Sequence, residues 1–199
     1  MDRRSFVWGV GALALVSRLA TAQEKESVKK APPTDATQDR GVVPLHGLKE
    51  AIHIGESDLP FMDGGRGTKL QLLHADLNRG IWVIRTRFPP GQVISKHYHT
   101  GPVFAVTLAG SWYYKEYPEY VNTAGSYLYE PAHSVHTLTV PKSNQGETDV
   151  WFAVTGANLN MDEKGNVTSV VDAQSVLTSY RKFCRERGLS SKKTIVIGE

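Results

Sequence analysis

From residue 68 to residue 155 the chain is written in short runs that alternate apolar and polar residues. A period of two marks half-buried β-strands, because successive side chains point to opposite faces. The pattern is plainest over 81–88, Ile-Trp-Val-Ile-Arg-Thr-Arg-Phe. Further strand-like runs cover 68–73, 93–99, 103–108, 111–116, 126–129, 137–140 and 149–155, and an earlier one covers 46–54. Glycine or proline closes nearly every run. Asp63-Gly64-Gly65-Arg66-Gly67 reads as a loop, Asn78-Arg79-Gly80 as a hairpin turn, and Pro89-Pro90-Gly91 as the end of the 81–88 strand. Many short strands punctuated in this way predict an all-β barrel or sandwich, and closure would remove exposed sheet edges. Residues 158–171 read as a loop and hairpin with Glu163-Lys164-Gly165-Asn166 at the tip. The period then changes. Ala173, Val176, Leu177, Tyr180, Phe183 and Cys184 form one apolar face at helical spacing, after Asp172 as N-cap and before Gly188 as terminator. A helix over 172–188 is predicted, with Arg181, Lys182, Arg185 and Arg187 placed late, where cations suit its dipole.

Residues 1–44 follow a different pattern. Arg3-Arg4 precede a short apolar run over 7–16, and Ala20-Thr21-Ala22 is a small-residue cleavage site. Charged start, short apolar middle and small-residue end are the parts of a secretory signal. The paired arginines before Ser5-Phe6 resemble a twin-arginine signal, which implies export to the periplasm or beyond and metal loading before export. Residues 23–44, rich in Lys, Glu, Thr, Asp and Pro, bury too little to fold and read as a disordered tether.

Composition narrows the picture further. The 199 residues suit one folded domain, here 45–199, and no apolar run reaches the roughly 18 residues of a membrane span. The formal charge is +3; removing Arg3, Arg4, Arg18 and Asp2 with the leader takes away +2 and leaves +1. That charge is too small to indicate nucleic acid or an anionic membrane as partner. Cys184 is the only cysteine, so no intramolecular disulfide can form.

The chemistry concentrates in residues 91–140. His97 and His99 are one residue apart, so on a strand both project to one face, and His136 follows a Pro131 turn. Three imidazoles meeting inside a closed barrel make a metal site with open positions. There is no phosphate loop, no Ser-His-Asp setting and no CxxC pair.

Gly91, His97, His99 and Gly110 are spaced as in the first cupin motif, and Gly125, Pro131 and His136 as in the second. The stretch therefore resembles the cupin superfamily. The resemblance implies an all-β cupin-type double-stranded β-helix, or jelly-roll barrel, carrying the C-terminal α-helix. The usual glutamate ligand falls at Val103, the second motif's usual glycine at His133 and its usual asparagine at Val140. More narrowly, His99-Thr100-Gly101-Pro102-Val103-Phe104, Gly110-Ser111-Trp112, Glu130-Pro131 and His136-Thr137-Leu138 resemble the 2,4'-dihydroxyacetophenone dioxygenase family, related to the ChrR-like cupins, over roughly residues 45–185.

That resemblance implies metal ligation by His97, His99 and His136, with Fe(II) as the metal and Zn, Mn, Ni or Cu as substitutes. It also implies O2-dependent cleavage of a carbon–carbon bond in a small enolisable ketone, giving two carboxylic acids. Three neutral imidazoles leave the ion's dipositive charge uncompensated and so favour an anionic chelator such as an enolate. The alternative is a non-catalytic metal- or ligand-binding ChrR-like cupin. Trp112, Tyr114 and Glu116 alternate on one run, so Glu116 reads either as a base or fourth ligand at the metal or as a strand-end surface charge. Phe104, Trp112 and Tyr114 are candidates for an aromatic substrate pocket, beside Tyr127 and Trp151. His133 reads as an exposed loop residue and Glu130 as structural. His46, His53 and His74 lie outside the motifs. The partners expected are a small substrate and O2, with a homodimer or higher homo-oligomer compatible with the family.

Overall fold

The computed structural model describes residues 51–199; the leader, the tether and His46 lie outside them. The strands are β1 (Met62–Gly65), β2 (Thr68–Asp76), β3 (Ile81–Phe88), β4 (His97–His99), β5 (Val103–Ala109), β6 (Ser111–Tyr114) and β7 (Tyr117–Thr123). They continue with β8 (Tyr127–Glu130), β9 (Leu138–Thr139), β10 (Thr148–Thr155), β11 (Asn158–Met161) and β12 (Val167–Val171). The helix α1 (Ala173–Glu186) and the short strand β13 (Ile195–Ile197) complete the chain.

A seven-stranded sheet runs β1-β2-β3-β10-β5-β8, with β13 parallel to β2. Two three-stranded ladders, β12-β11-β4 and β7-β6-β9, make the other wall. Isolated bridges Val93↔Thr139 and His97↔His136 join these ladders. Side chains from both walls line one interior cavity, so the two layers enclose a common core in a cupin-type jelly roll. Strict alternation on β3 buries Trp82, Ile84, Thr86 and Phe88 and turns Arg85 and Arg87 outward. Outside, both arginines are bound to Asp149 of β10.

Gly110, between β5 and β6, shows why a motif glycine is required. Its φ is 72°, and a Cβ there would stand 2.6 Å from Thr148 Oγ1 and 2.9 Å from Thr148 Cα. Either feature alone would strain any other residue.

The helix begins as expected. Asp172 accepts a hydrogen bond from the Ser175 amide at 2.8 Å, and the Asp172 amide donates to Ser175 Oγ at 2.8 Å. Its buried face carries Ala173, Val176, Leu177, Tyr180 and Cys184, and it packs on β2 and β1. Tyr180 donates to the Pro60 carbonyl at 2.6 Å.

Several strand boundaries differ from expectation. Residues 51–54 form no strand. Strand β7 was legible only as a gap around Pro118, because it is an edge strand with six of its seven residues exposed and no apolar alternation. Strand β6 stops at Tyr114, and a turn takes Lys115 and Glu116 out of the alternation.

Candidate metal centre

His97 and His136 face each other across the joint between the two ladders. Their backbones exchange both hydrogen bonds, His97 N to His136 O at 3.0 Å and His136 N to His97 O at 2.9 Å. Such a reciprocal pair places both side chains on one face. Alternation carries His99 to the same side, and pairing with Asn158 and Asn160 of β11 holds that strand. The three imidazoles are buried, and each offers a ring nitrogen within 4.8 Å of the others.

The donor set fits a metal. Two nitrogens each about 2.1 Å from one ion and at right angles lie about 3.0 Å apart. His97 Nε2 and His136 Nε2 are 3.1 Å apart. His97 Nδ1 lies 2.7 Å from the Ser95 carbonyl, which holds the proton on Nδ1 and leaves the Nε2 lone pair turned inward. Burial lowers all three histidine pKa values, to about 3 for His99 and about 2 for His136. Mutual repulsion adds to the last two, from His97 on His99 and from both neighbours on His136. The cluster is therefore neutral at physiological pH, the form that binds metals.

One carboxylate joins the cluster, and it is Glu130. This residue is 3 % exposed, with Oε2 3.5 Å from His99 Nε2 and 3.3 Å from His136 Nε2. Its other oxygen accepts the hydroxyl of Tyr114, whose ring stacks on His136 at a 4.2 Å centroid distance. Burial raises the Glu130 pKa to about 7 against the opposing pull of the Tyr114 hydroxyl. Oε2 has no hydrogen-bond partner among the described residues, nor has His99 Nδ1. Strand register explains the geometry: Glu130 of β8 lies directly across from Val103 of β5. A carboxylate thus stands across the ladder from the position where the cupin pattern most often has one. Sequence reading set Glu130 aside as structural, although Leu128 inward predicts Glu130 inward by the period of two.

The other predicted residues separate. Glu116 is exposed and accepts hydrogen bonds from the Thr137 amide and hydroxyl at 2.8 and 2.9 Å. It braces the residue after His136 and does not face the metal pocket, because the β6–β7 turn has already rotated it away. Phe104 points outward against Tyr129, since Val103 and Ala105 take the inward places on β5. Trp112 is fully buried and donates to Thr107 Oγ1 at 2.9 Å, behind the pocket and outside its lining. Of the three aromatic candidates only Tyr114 lines the cavity; Trp82, Phe88 and Phe152 supply the rest of its aromatic wall. The cavity holds about 170 Å³. Tyr127 is exposed and Trp151 half-buried, both outside that lining. Trp112→Ala is expected to cost about 3–5 kcal/mol by removing a large core side chain, measurable by chemical denaturation.

His133 is exposed, with a φ of 68°. The usual motif glycine belongs here because the backbone is left-handed. The His133 amide donates to the His99 carbonyl at 2.8 Å, so this turn braces the ligand strand through its backbone. His133→Gly keeps that bond and is expected to raise stability by up to about 1 kcal/mol in thermal unfolding.

A two-walled β-fold with an interior histidine cluster able to hold a metal defines a cupin. The chain belongs to the ChrR cupin-like family, whose model, ChrR Cupin-like domain, matches residues 49–158. A cupin-fold protein from Ralstonia eutropha is similar at 34% identity, covering 76% of this chain and 94% of that one, with TM-score 0.69. An RmlC-like cupin from the same organism shares 28% identity over 70% of this chain and 92% of its own, with TM-score 0.64. An acetylacetone dioxygenase from Acinetobacter johnsonii shares the fold at 20% identity, over 68% of this chain and 93% of its own, with TM-score 0.58. A search of curated proteins finds no match.

Proposed function

We propose that this protein is a metal-dependent dioxygenase that uses O2 to cleave a carbon–carbon bond in a small enolisable ketone, of the 2,4'-dihydroxyacetophenone or β-diketone type. The observation that carries this reading is Glu130, a buried carboxylate whose Oε2 has no hydrogen-bond partner among the described residues and lies 3.5 and 3.3 Å from two nitrogens of the neutral three-histidine donor set. The fold shared with an acetylacetone dioxygenase supports the same reaction class.

His97, His99 and His136 would hold the metal, Fe(II) in this proposal, with Zn, Mn, Ni or Cu able to use the same nitrogens. The bound ion supplies Lewis acidity toward the ketone oxygens and the redox chemistry that O2 requires. Glu130 takes the proton from the carbon between or beside the carbonyls, as a positioned carboxylate base would. Tyr114 holds the opposite carboxylate oxygen and so aims Oε2 into the cavity. Trp82, Ile84, Phe88 and Phe152 exclude water, which would strengthen the electrostatic interactions made inside the cavity. At about 170 Å³ the cavity suits a compact ketone and disfavours a multi-ring one.

The test uses the purified protein. Its metal is measured, and O2 uptake is followed with hydroxyacetophenones and β-diketones. Stoichiometric iron and one O2 consumed per bond cleaved are expected. Stable zinc and no O2 uptake across the panel would overturn the dioxygenase and favour a non-catalytic ChrR-like metal or ligand binder.

We also infer export of the chain by its paired arginines, Arg3 and Arg4. Lysine at both positions is expected to abolish periplasmic accumulation in cell fractionation. Unchanged accumulation would count against a twin-arginine route.

A further inference from the structure

The wall that carries His97 and His136 has an outer face, and a groove of about 710 Å³ runs along it. Residues 93–96, the β6–β7 turn and β9 form its floor, while the β1–β2 turn and the β11–β12 tip reach over it. Three cations line it: Arg66, Lys96 and Lys115. Among the described residues the ion pairs engage other cations and none of these three. The lining also holds two carboxylates, Glu116 and Glu163, and the first is already bound by the Thr137 amide and hydroxyl.

We propose that this groove binds a small organic carboxylate. Three cations against two carboxylates leave one positive charge, which suits an anion of low charge; a polyanion would meet Glu116 and Glu163. Val93 and Ile94 add an apolar strip for the carbon body of the ligand. The groove's volume falls within the range of about 300–1,000 Å³ usual for small-molecule sites. Charges on an exposed wall bind weakly and are screened by salt, so the affinity is modest and falls with ionic strength. Ile94 lines this groove and the inner cavity alike, so the two volumes meet the same side chain. The ligand therefore sits against the outer side of the strands that hold the histidines. The assignment does not depend on which metal those histidines hold or on the reaction proposed above.

The experiment is an amide NMR titration of the full chain, as purified with its metal, at constant ionic strength. Benzoate and succinate serve as carboxylate probes, inorganic phosphate as a second anion and benzamide as a neutral control. Saturable shifts at the amides of Lys96, Lys115 and Thr137 are expected with a carboxylate and not with benzamide. Lys96→Gln combined with Lys115→Gln is expected to weaken binding about tenfold, with metal content unchanged. Arg66 has a φ of 53°, so Arg66→Asn, which tolerates that backbone, provides a second variant with weakened binding should the double variant fail to fold. The assignment is overturned by no saturable shift with either carboxylate, by equal shifts with benzamide, by saturation with phosphate alone, or by unchanged affinity in the folded variants.

Discussion

Alanine at His136 is expected to empty the metal centre. His136 is 1 % exposed and lies against His97, Glu130 and Tyr114. Its Nε2 lies 3.1 Å from His97 Nε2 and 3.3 Å from Glu130 Oε2, and its ring stacks on Tyr114. Removing it leaves two nitrogen donors, too few to complete a facial set. Loss of an outer hydrogen-bond partner alone costs about 10–100-fold in metal affinity, and loss of a ligand costs more. His97→Ala removes the nitrogen that the Ser95 carbonyl orients and is expected to do the same. Metal content by mass spectrometry and competition against a chelator measure both variants. Full occupancy in both would remove these residues as ligands.

Replacing Glu130 by glutamine separates catalysis from metal binding. The variant is expected to keep its metal and to lose about 10²–10⁴-fold in turnover, the usual contribution of a positioned base. The wild-type rate should fall as pH drops through the Glu130 pKa, which a cation on the adjacent histidines holds below the metal-free value of about 7, and the residual rate of the variant should not. Turnover unchanged by the substitution would eliminate the assignment of Glu130 as base.

The same carboxylate has a stability signature in the metal-free protein. Its folded pKa, about 7, lies above the ordinary carboxylate value of 4.5, so its contribution is fully present below the lower value and is lost as pH rises through the higher. His99 and His136 behave oppositely. Their folded values, about 3 and about 2, lie below 6.5, so their contribution is present above 6.5 and is lost as pH falls through the folded values. Between pH 4.5 and 6.5 the gain from the two histidines exceeds the loss from Glu130, so the metal-free wild type is expected to melt at lower temperature as pH falls below 6.5 and to change little above about 7. Glu130→Gln removes the opposing loss and so steepens the rise in melting temperature between pH 4.5 and 6.5, as thermal melts across pH would show.

Much of this architecture is legible residue by residue. The alternation of 81–88 gives β3 with its true inward face, and Asp172 with the apolar spacing after it gives α1. The histidine pair is legible for the same reason: a period of two places His97 and His99 together whatever surrounds them. Alternation alone leaves Glu116 open between a role at the metal and a strand-end surface charge, because it does not tell where a strand stops or which parity faces inward, and residue type alone makes Phe104 a pocket candidate. One turn at Lys115 removes Glu116 from the site, and one step of register turns Phe104 outward. Glu130 went unrecognised because its importance comes from residues distant in sequence, namely Tyr114, His99 and His136.

Local chemistry, then, determined by itself the strand-rich class, the capped terminal helix, the paired histidines and the glycine turns, because dihedral preference and side-chain period act between near neighbours. Only the tertiary structure decided which carboxylate stands by the histidines and which aromatics wall their cavity. Cross-strand register makes those choices: it sets Glu130 opposite Val103 and His136 opposite His97, and no periodicity within one segment encodes the alignment of two.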